Sequence, residues 1–340
     1  MKFTTYFDNY CNLYPNIVIE ILEYFDFTNK IAGAASKRSV SKFCELHKSG
    51  GEIIYQPRIV SRICEVLCEN GKLDRVMTGS CLGLNDNYTC NIKDLSYFSK
   101  NKNNLRDILN LTVYGIEFVY EKFKECVIPI VWDRGNGEYS AGTAFKFLDG
   151  IVTAKHCLED AENIQIKGYK AEELEGKSVY ISDNEGVDLA FIHTGTKGNS
   201  INYYGEGEIL QEVLVIGYPK IPTFTNFQTA EKGTISSKAS ARITPTKGAI
   251  ASVAHQYLTN IEAMLITARI RGGNSGGPVI SEDGYLVGVA CQLPDARSEN
   301  GDYDDLGYGV ALPVQYLMEI VENKPRPLDI PVGFYRDFVE

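Results

Sequence analysis

From Val127 onward the chain is a series of short apolar runs cut apart by turn residues: VIPIVW, GTAFKFLDGIVTA, NIQIKGY, KSVYISD, DLAFIHTG, EVLVIGYP, AMLITARI and YLVGVACQL. β-branched and aromatic residues crowd these runs, and Gly, Asp, Asn and Pro separate them at fairly regular spacing. A chain patterned this way cannot bury its apolar residues as helices of ordinary length, and the pattern predicts an all-β barrel or sandwich. The segment PVQYLMEIVE that follows has helical spacing and predicts one closing helix.

The first third has a different texture. NIVIEILEYF repeats its apolar residues at helical spacing, as does RIVSRICEVLCENGKLDRV, where Ile59, Ile63, Val66 and Leu67 form one stripe ahead of a stop at Gly71. NLRDILNLTVYGIEFVYEKFKE predicts a further helix running to about residue 125. The expectation is an α+β multidomain chain. Residues 1–126 form a mainly α-helical accessory domain, either winged-helix-like or a death-fold-like adaptor bundle. Residues 127–325 form the β domain with its closing helix, and 326–340 a tail. The boundary rests on texture alone, since no low-complexity linker or internal repeat marks it.

Composition removes several functions. At 340 residues, 44% hydrophobic and 23% charged, the chain is of ordinary globular make-up, and its net charge of −10 argues against a binder of phosphate backbones. Up to about residue 126 the charges nearly cancel, so the negative excess lies in the β-rich part. The start of the chain lacks the apolar core and small-residue cleavage site of a leader, and no run approaches the roughly 18 apolar residues of a membrane span. The cysteines are nine, an odd number, scattered and without paired CxxC spacing. Free thiols in a reducing cytoplasm are therefore expected, with no structural zinc. No cofactor is expected: DYDD (Asp302 to Asp305) lacks the other ligands of a calcium loop, and RGNGEYS near Arg134 lacks the Gly-Lys-Ser and helix of a phosphate cradle.

The chemistry concentrates in IRGGNSGGPVISEDGYLVGVA, residues 270–290. Gly, Asn, Ser and Pro serve any turn. Gly272, Gly273, Gly276 and Gly277 around Ser275 also free the backbone for positive φ, which suits a loop whose N–H groups converge on one outside point. A nucleophilic serine needs a base and the base an orienting group. Of the four histidines, His156 stands where the strand-like GIVTA ends and the chain turns; His47, His193 and His255 read as surface or satisfied core residues. In EGVDLAFIH, Asp188 sits at the mouth of an apolar strand, whereas Asp183 and Glu185 lie in a polar turn and are expected to be solvated.

TAKHC, VDLAFI and GGNSGGPV, in that order, resemble the three signature blocks of trypsin-like serine proteases. The likeness is closest to the HtrA/Deg branch, where DLA, the GYP at Gly217 to Pro219, GNSGGP and the late GYGVALPVQYL have counterparts, and it spans roughly residues 127–323. The resemblance implies two β-barrels with the active site between them. It also implies Ser275 as nucleophile, His156 as general base and then acid, Asp188 as orienting acid, and an oxyanion hole from the N–H groups of Gly273 and Ser275. Asn274 stands where digestive members carry the Asp that receives a new N-terminal ammonium, so activation by N-terminal clipping is not expected. Cys157 has no partner cysteine in AGTAFKF. HtrA proteins usually end in a PDZ domain, and PRPLDIPVGFYRDFVE is too short for one. By the same likeness, Arg269, Ile270 and Leu293 fall near the primary specificity pocket, with Gly309 leaving room on a wall. Ile270 and Leu293 suggest a modest aliphatic side chain in that pocket; Arg269 either points inward and takes Asp or Glu, or points to solvent or an internal acid. Residues 221–260 hold either a movable activation loop or ordinary strands and turns.

These features imply an intracellular serine endopeptidase acting on a protein or peptide. Its N-terminal domain would restrain it by binding a partner, self-associating or sensing a ligand. Trypsin-like proteases joined to small N-terminal adaptor domains occur in bacterial immune systems, and that resemblance implies a defence effector. The alternative is a catalytically silent protease-fold scaffold recruited through residues 1–126. A transcription factor would need a basic recognition face that the near-neutral first third does not supply.

Overall fold

The computed structural model describes residues 10–26, 38–79, 83–92, 102–133, 135, 139–159, 161–195, 198–222, 239–256, 259–291, 296–297, 303–304 and 307–339. The chain divides into two compact units, Met1–Glu121 and Lys122–Glu340. No described helix is long and apolar enough to cross a membrane.

The first unit holds α1 (Tyr10–Leu13), α2 (Ile17–Phe25), α3 (Val40–Leu46), β1 (Lys48–Ser49), β2 (Glu52–Ile53), α4 (Pro57–Glu69), β3 (Leu73–Met77), β4 (Asn87–Cys90) and α5 (Lys102–Tyr114), with α6 (Ile116–Phe123) running across the division. Proline at the start of α4 fits a position whose N–H has no helical partner. Its stripe buries Ile59, Ile63 and Leu67 against Phe43 and the apolar residues of α2, each worth about 1.5–3 kcal/mol relative to exposure. The helix stops where expected. Gly71 has φ +65°, its N–H donates to the Cys68 carbonyl at 3.0 Å, and Lys72 N–H donates to Leu67 at 2.8 Å, the paired bonds of a Schellman motif. The helix expected over residues 104–125 is instead two, α5 and α6, because Gly115 takes φ +58° between them. The antiparallel hairpins β1–β2 and β3–β4 interrupt the helices.

The second unit opens with β5 (Val127–Asp133), β6 (Tyr139–Phe147), β7 (Gly150–Thr153), β8 (Asn163–Ile166), the short α7 (Ala171–Leu174), β9 (Ser178–Ile181) and β10 (Ala190–His193). It continues with β11 (Glu212–Gly217), β12 (Lys220–Pro222), β13 (Ala239–Ala241), β14 (Thr244–Gln256), β15 (Ile261–Ile266), β16 (Pro278–Ser281), β17 (Leu286–Ala290), β18 (Ala296–Arg297), β19 (Tyr303–Asp304), β20 (Gly309–Pro313), α8 (Val314–Asn323) and β21 (Arg326–Pro327). Each apolar run named from the sequence carries a strand.

Six of these strands, β11-β14-β15-β20-β17-β16, close into an antiparallel barrel around Val213, Val215, Ile250, Ile266, Val279 and Val287. Seven more form a sheet in the order β21-β9-β10-β7-β6-β5-β8 around Ile130, Trp132, Ile151, Ile164 and Ile192, and β12–β13 and β18–β19 pair as separate two-stranded ribbons. The segment after α8 laces the two ends of this sheet. Arg326 and Pro327 pair with β9, while Tyr335 bridges Ile164 of β8 in parallel and is 5% exposed within the sheet's core. Residues 326–336 are thus structural members of the first sheet. Of the two barrels expected from the resemblance, the second closes and the first is a seven-stranded sheet in linear strand order; together they position the site, because β7 and β10 deliver one half of it and the β15–β16 connection the other.

Candidate active site

The chain leaves β7 through Ala154 into a single helical turn, Lys155–Cys157, which lifts His156 to the end of the first sheet. Cys157 is fully buried, its Sγ beside Gly142, and the Trp132 ring stands edge-on to His156 at 6.2 Å between centroids. Asp188 enters from the start of β10, where Val187, Leu189 and Ala190 are fully buried and anchor its backbone. β10 lies beside β7 in the register Ala190 opposite Thr153. That register brings Asp188 Oδ2 to 2.6 Å from His156 Nδ1, and Asp188 Oδ1 accepts the His156 backbone N–H at 2.9 Å.

With a carboxylate as acceptor the proton sits on Nδ1, which leaves the Nε2 lone pair for a serine. The hydrogen bond to Asp188, with a smaller contribution from the Cys157 thiol, holds the imidazole well above its usual 6.5 against the opposing effect of burial. The other histidines lie elsewhere: His47 Nδ1 meets the Phe43 carbonyl at 2.9 Å and His193 Nε2 meets Asp149 at 3.0 Å. His255 is exposed on β14, and Asp183 and Glu185 are exposed in the turn before Asp188.

Ser275 comes from the loop between β15 and β16, and the amides of this loop can be accounted for one by one. Asn274 N–H donates to the Arg271 carbonyl at 2.9 Å, Gly276 N–H to Ala290 at 2.8 Å, and Gly277 N–H to Asn274 at 2.9 Å. The Gly273 carbonyl accepts the Thr143 hydroxyl at 2.7 Å, and the Ser275 carbonyl accepts the Thr143 N–H at 3.1 Å. Among residues 273–277 two N–H groups are left over. Neither Gly273 N–H nor Ser275 N–H donates to any group among the described residues, although Ser275 is only 8% exposed. Gly273 has φ +99° at the third position of the Arg271–Asn274 turn, the type II form; the type I form would turn the central peptide over and present the Gly272 carbonyl in place of the Gly273 N–H. Two adjacent buried donors without an internal acceptor beside a serine are what a developing oxyanion requires.

The two halves meet at Thr143 and Gly276. A side-chain carbon at Gly276 would strike the Thr143 carbonyl and come within 2.6 Å of Ala154 N, two residues before His156. The residue after the nucleophile is thus seated on the β6–β7 ladder from which His156 departs. Ser275 Oγ makes no hydrogen bond among the described residues, in keeping with serine–histidine contacts that tighten only when a substrate is bound.

The pocket residues divide. Ile270 and Gly309 come together: a Cβ at Gly309 would lie 2.7 Å from Ile270 Cδ1, and Ile270 is 3% exposed, so Ile270 itself fills the space beside Gly309. Arg269 is exposed and its carbonyl accepts from Thr246. Leu293, Arg134, Asp302, Asp305 and, within the 221–260 stretch, residues 223–238 and 257–258 lie outside the described residues. Among the described residues no cluster of His, Cys, Asp and Glu is arranged to hold a metal ion. The residue missed from the sequence is Thr143. A buried strand threonine carries no motif, and its role exists only through bonds to residues 75 and 130 positions away.

Residues 142–289, which hold His156, Asp188, Gly273 and Ser275, match the family described as "Trypsin-like peptidase domain". The chain is 25% identical over 246 residues to a "Serine protease HtrA-like" of Staphylococcus aureus strain USA300, a match covering 71% of this chain and 29% of that protein. The counterpart in strain MRSA252 is 25% identical over 174 residues, covering 51% and 21%. The chain therefore spans less than a third of the length of these curated relatives. Among solved structures, the serine endoprotease from Yersinia pestis is 22% identical, with 61% of this chain and 65% of that chain covered and a TM-score of 0.42. The active form of the Mycobacterium tuberculosis protease Rv3671c is 19% identical, with 64% and 88% covered and a TM-score of 0.44. The likeness to trypsin-like peptidases thus rests on residues 142–289, and the curated relatives that the chain resembles are HtrA-like serine proteases.

Proposed function

We propose that this protein is a serine endopeptidase that cleaves peptide bonds in protein substrates by way of an acyl-enzyme. The observation that carries the reading is the pair of uncommitted N–H groups, Gly273 and Ser275, flanking a serine whose loop is seated beside a His156–Asp188 pair already in hydrogen-bond contact. Ser275 Oγ attacks the scissile carbonyl while His156 Nε2 takes its proton. Asp188 stabilises the imidazolium without itself becoming protonated, and the two N–H groups bind the oxyanion. His156 then returns the proton to the leaving amine, and water repeats the cycle on the ester.

In the same reading the enzyme works in the cytoplasm, which the free thiols of Cys44, Cys64, Cys68, Cys90, Cys126, Cys157 and Cys291 support. Its N-terminal unit restrains it until a protein partner, self-association or another signal releases it, in the manner of an effector of bacterial immune defence. That unit has its own apolar core, apart from the protease fold. The test is digestion of labelled casein by the full chain, by Ser275→Ala and by the chain lacking residues 1–121. Serine-dependent cleavage that rises on removal of the first unit is expected. No cleavage by either active-serine form would favour the silent-scaffold reading instead, and equal cleavage by both would remove the regulatory role.

A further inference from the structure

Thr143 lies on β6, in the sheet that supplies His156 and Asp188, and it is fully buried. The partners of its hydroxyl and its N–H lie on connections of the closed barrel. The hydroxyl accepts the Tyr218 N–H at 2.8 Å, just past the end of β11, and donates to the Gly273 carbonyl at 2.7 Å. Its backbone N–H donates to the Ser275 carbonyl at 3.1 Å. It thus grips the nucleophile loop at two carbonyls that straddle Asn274. Among the described residues its hydroxyl makes the one side-chain hydrogen bond to residues 271–277. On the far side the Thr143 carbonyl accepts the Thr153 hydroxyl at 2.9 Å, and Thr153 ends the strand that leads to His156.

The consequence is geometric. Ser275 belongs to the closed barrel and its base to the seven-stranded sheet, so proton transfer between them depends on how sheet and barrel are registered at this point. The loop's internal bonds, Asn274 to Arg271 and Gly277 to Asn274, shape the turn but do not locate it against His156. The Thr143 bonds do. A hydroxyl that accepts one N–H is polarised as a donor, so the chain of bonds from Tyr218 through Thr143 to Gly273 is stronger than either bond alone. We infer that Thr143, through its hydroxyl, is a positioning residue for catalysis, holding the Ser275 loop in register with His156 across the junction of sheet and barrel.

The inference rests on the endopeptidase reading, and the experiment separates the two. Thr143→Val keeps the branched shape but strands the Gly273 carbonyl and Tyr218 N–H; Thr143→Ser keeps the hydroxyl and drops the methyl. With labelled casein, Thr143→Val is expected to lower kcat by about tenfold to a hundredfold, the scale of an ångström-level misplacement, with KM within about twofold, while Thr143→Ser recovers most of the rate. In parallel, amide hydrogen exchange on the full chain is expected to show the Tyr218 N–H exchanging at least about tenfold faster in Thr143→Val and near the parent rate in Thr143→Ser, because the lost acceptor exposes that amide. An unchanged kcat in the valine variant, an equal fall in both variants, or unchanged Tyr218 exchange would each overturn the inference. If the parent chain cleaves nothing, the endopeptidase reading fails, and the exchange comparison still decides whether the hydroxyl holds the loop.

Discussion

Asp188 holds His156 at two points, its Oδ2 2.6 Å from the ring Nδ1 and its Oδ1 accepting the backbone N–H at 2.9 Å. One carboxylate therefore fixes the ring's rotation, its tautomer and the backbone that carries it. Asn in its place could keep the backbone contact but not the charge, and its amide would favour the wrong tautomer. Asp188→Asn is expected to slow fluorophosphonate labelling of Ser275 by about four orders of magnitude with little change in thermal midpoint. A loss below tenfold would mean that Asp188 does not serve the base.

The same contact sets a pH dependence. His156 is held above its usual 6.5 in the folded chain. Its stabilising contribution is therefore fully present below about 6.5 and is lost as pH rises through the folded value. Activity runs the other way, since the base must be neutral to accept the serine proton. The labelling rate is expected to climb on a limb centred above pH 6.5, and Asp188→Asn to move that limb downward. Full activity at pH 6 would contradict this.

Gly276 and Gly272 stand in the same loop with opposite tolerances. Gly276 has φ +83° and its missing side chain would run into the Thr143 carbonyl and Ala154 N, whereas a Cβ at Gly272 meets nothing within 4 Å. Gly276→Ala is expected to cost roughly 1–3 kcal/mol or more from backbone strain and contact with unyielding backbone, and Gly272→Ala less than about 0.5 kcal/mol. Urea unfolding of the two variants checks the contrast; equal midpoints would mean that the loop is not seated on the β6–β7 ladder.

The tail has an expected effect as well. Tyr335 fills the first sheet's core beside Ile164 while Arg326 and Pro327 pair with β9. Tyr335→Ala should destabilise the second unit by about 3 kcal/mol, the scale of a large aromatic deletion. Removing residues 326–340 should leave both sheet edges open and the protein aggregation-prone. An unchanged denaturation midpoint for Tyr335→Ala would mean that the tail merely rests on the sheet.

What the sequence made legible depended on the range of the interactions. Strands such as EVLVIG and LVGVA, and the helix stop at Gly71, are written in periodicity and turn chemistry, which act over a few residues. His156, Asp188 and Ser275 were legible because each sits in a short motif whose neighbours serve its local geometry. The split between α5 and α6 was missed because Gly115 within an apolar helical pattern gives no sign of its positive φ. Thr143 and the lacing of Tyr335 onto β8 were missed because both are defined by partners more than 70 residues away. The fate of Ile270, which fills the space beside Gly309, likewise depends on the closure of the barrel.

The most direct test of the assignment is reaction of the full-length protein with a fluorophosphonate, followed by mass mapping of the adduct, with Ser275→Ala and His156→Ala alongside. A single adduct on Ser275 in the parent chain, absent from both variants, is the expected result and would establish an activated nucleophile served by His156. An adduct on another residue, equal labelling in His156→Ala, or no labelling even after the first unit is removed would contradict the assignment.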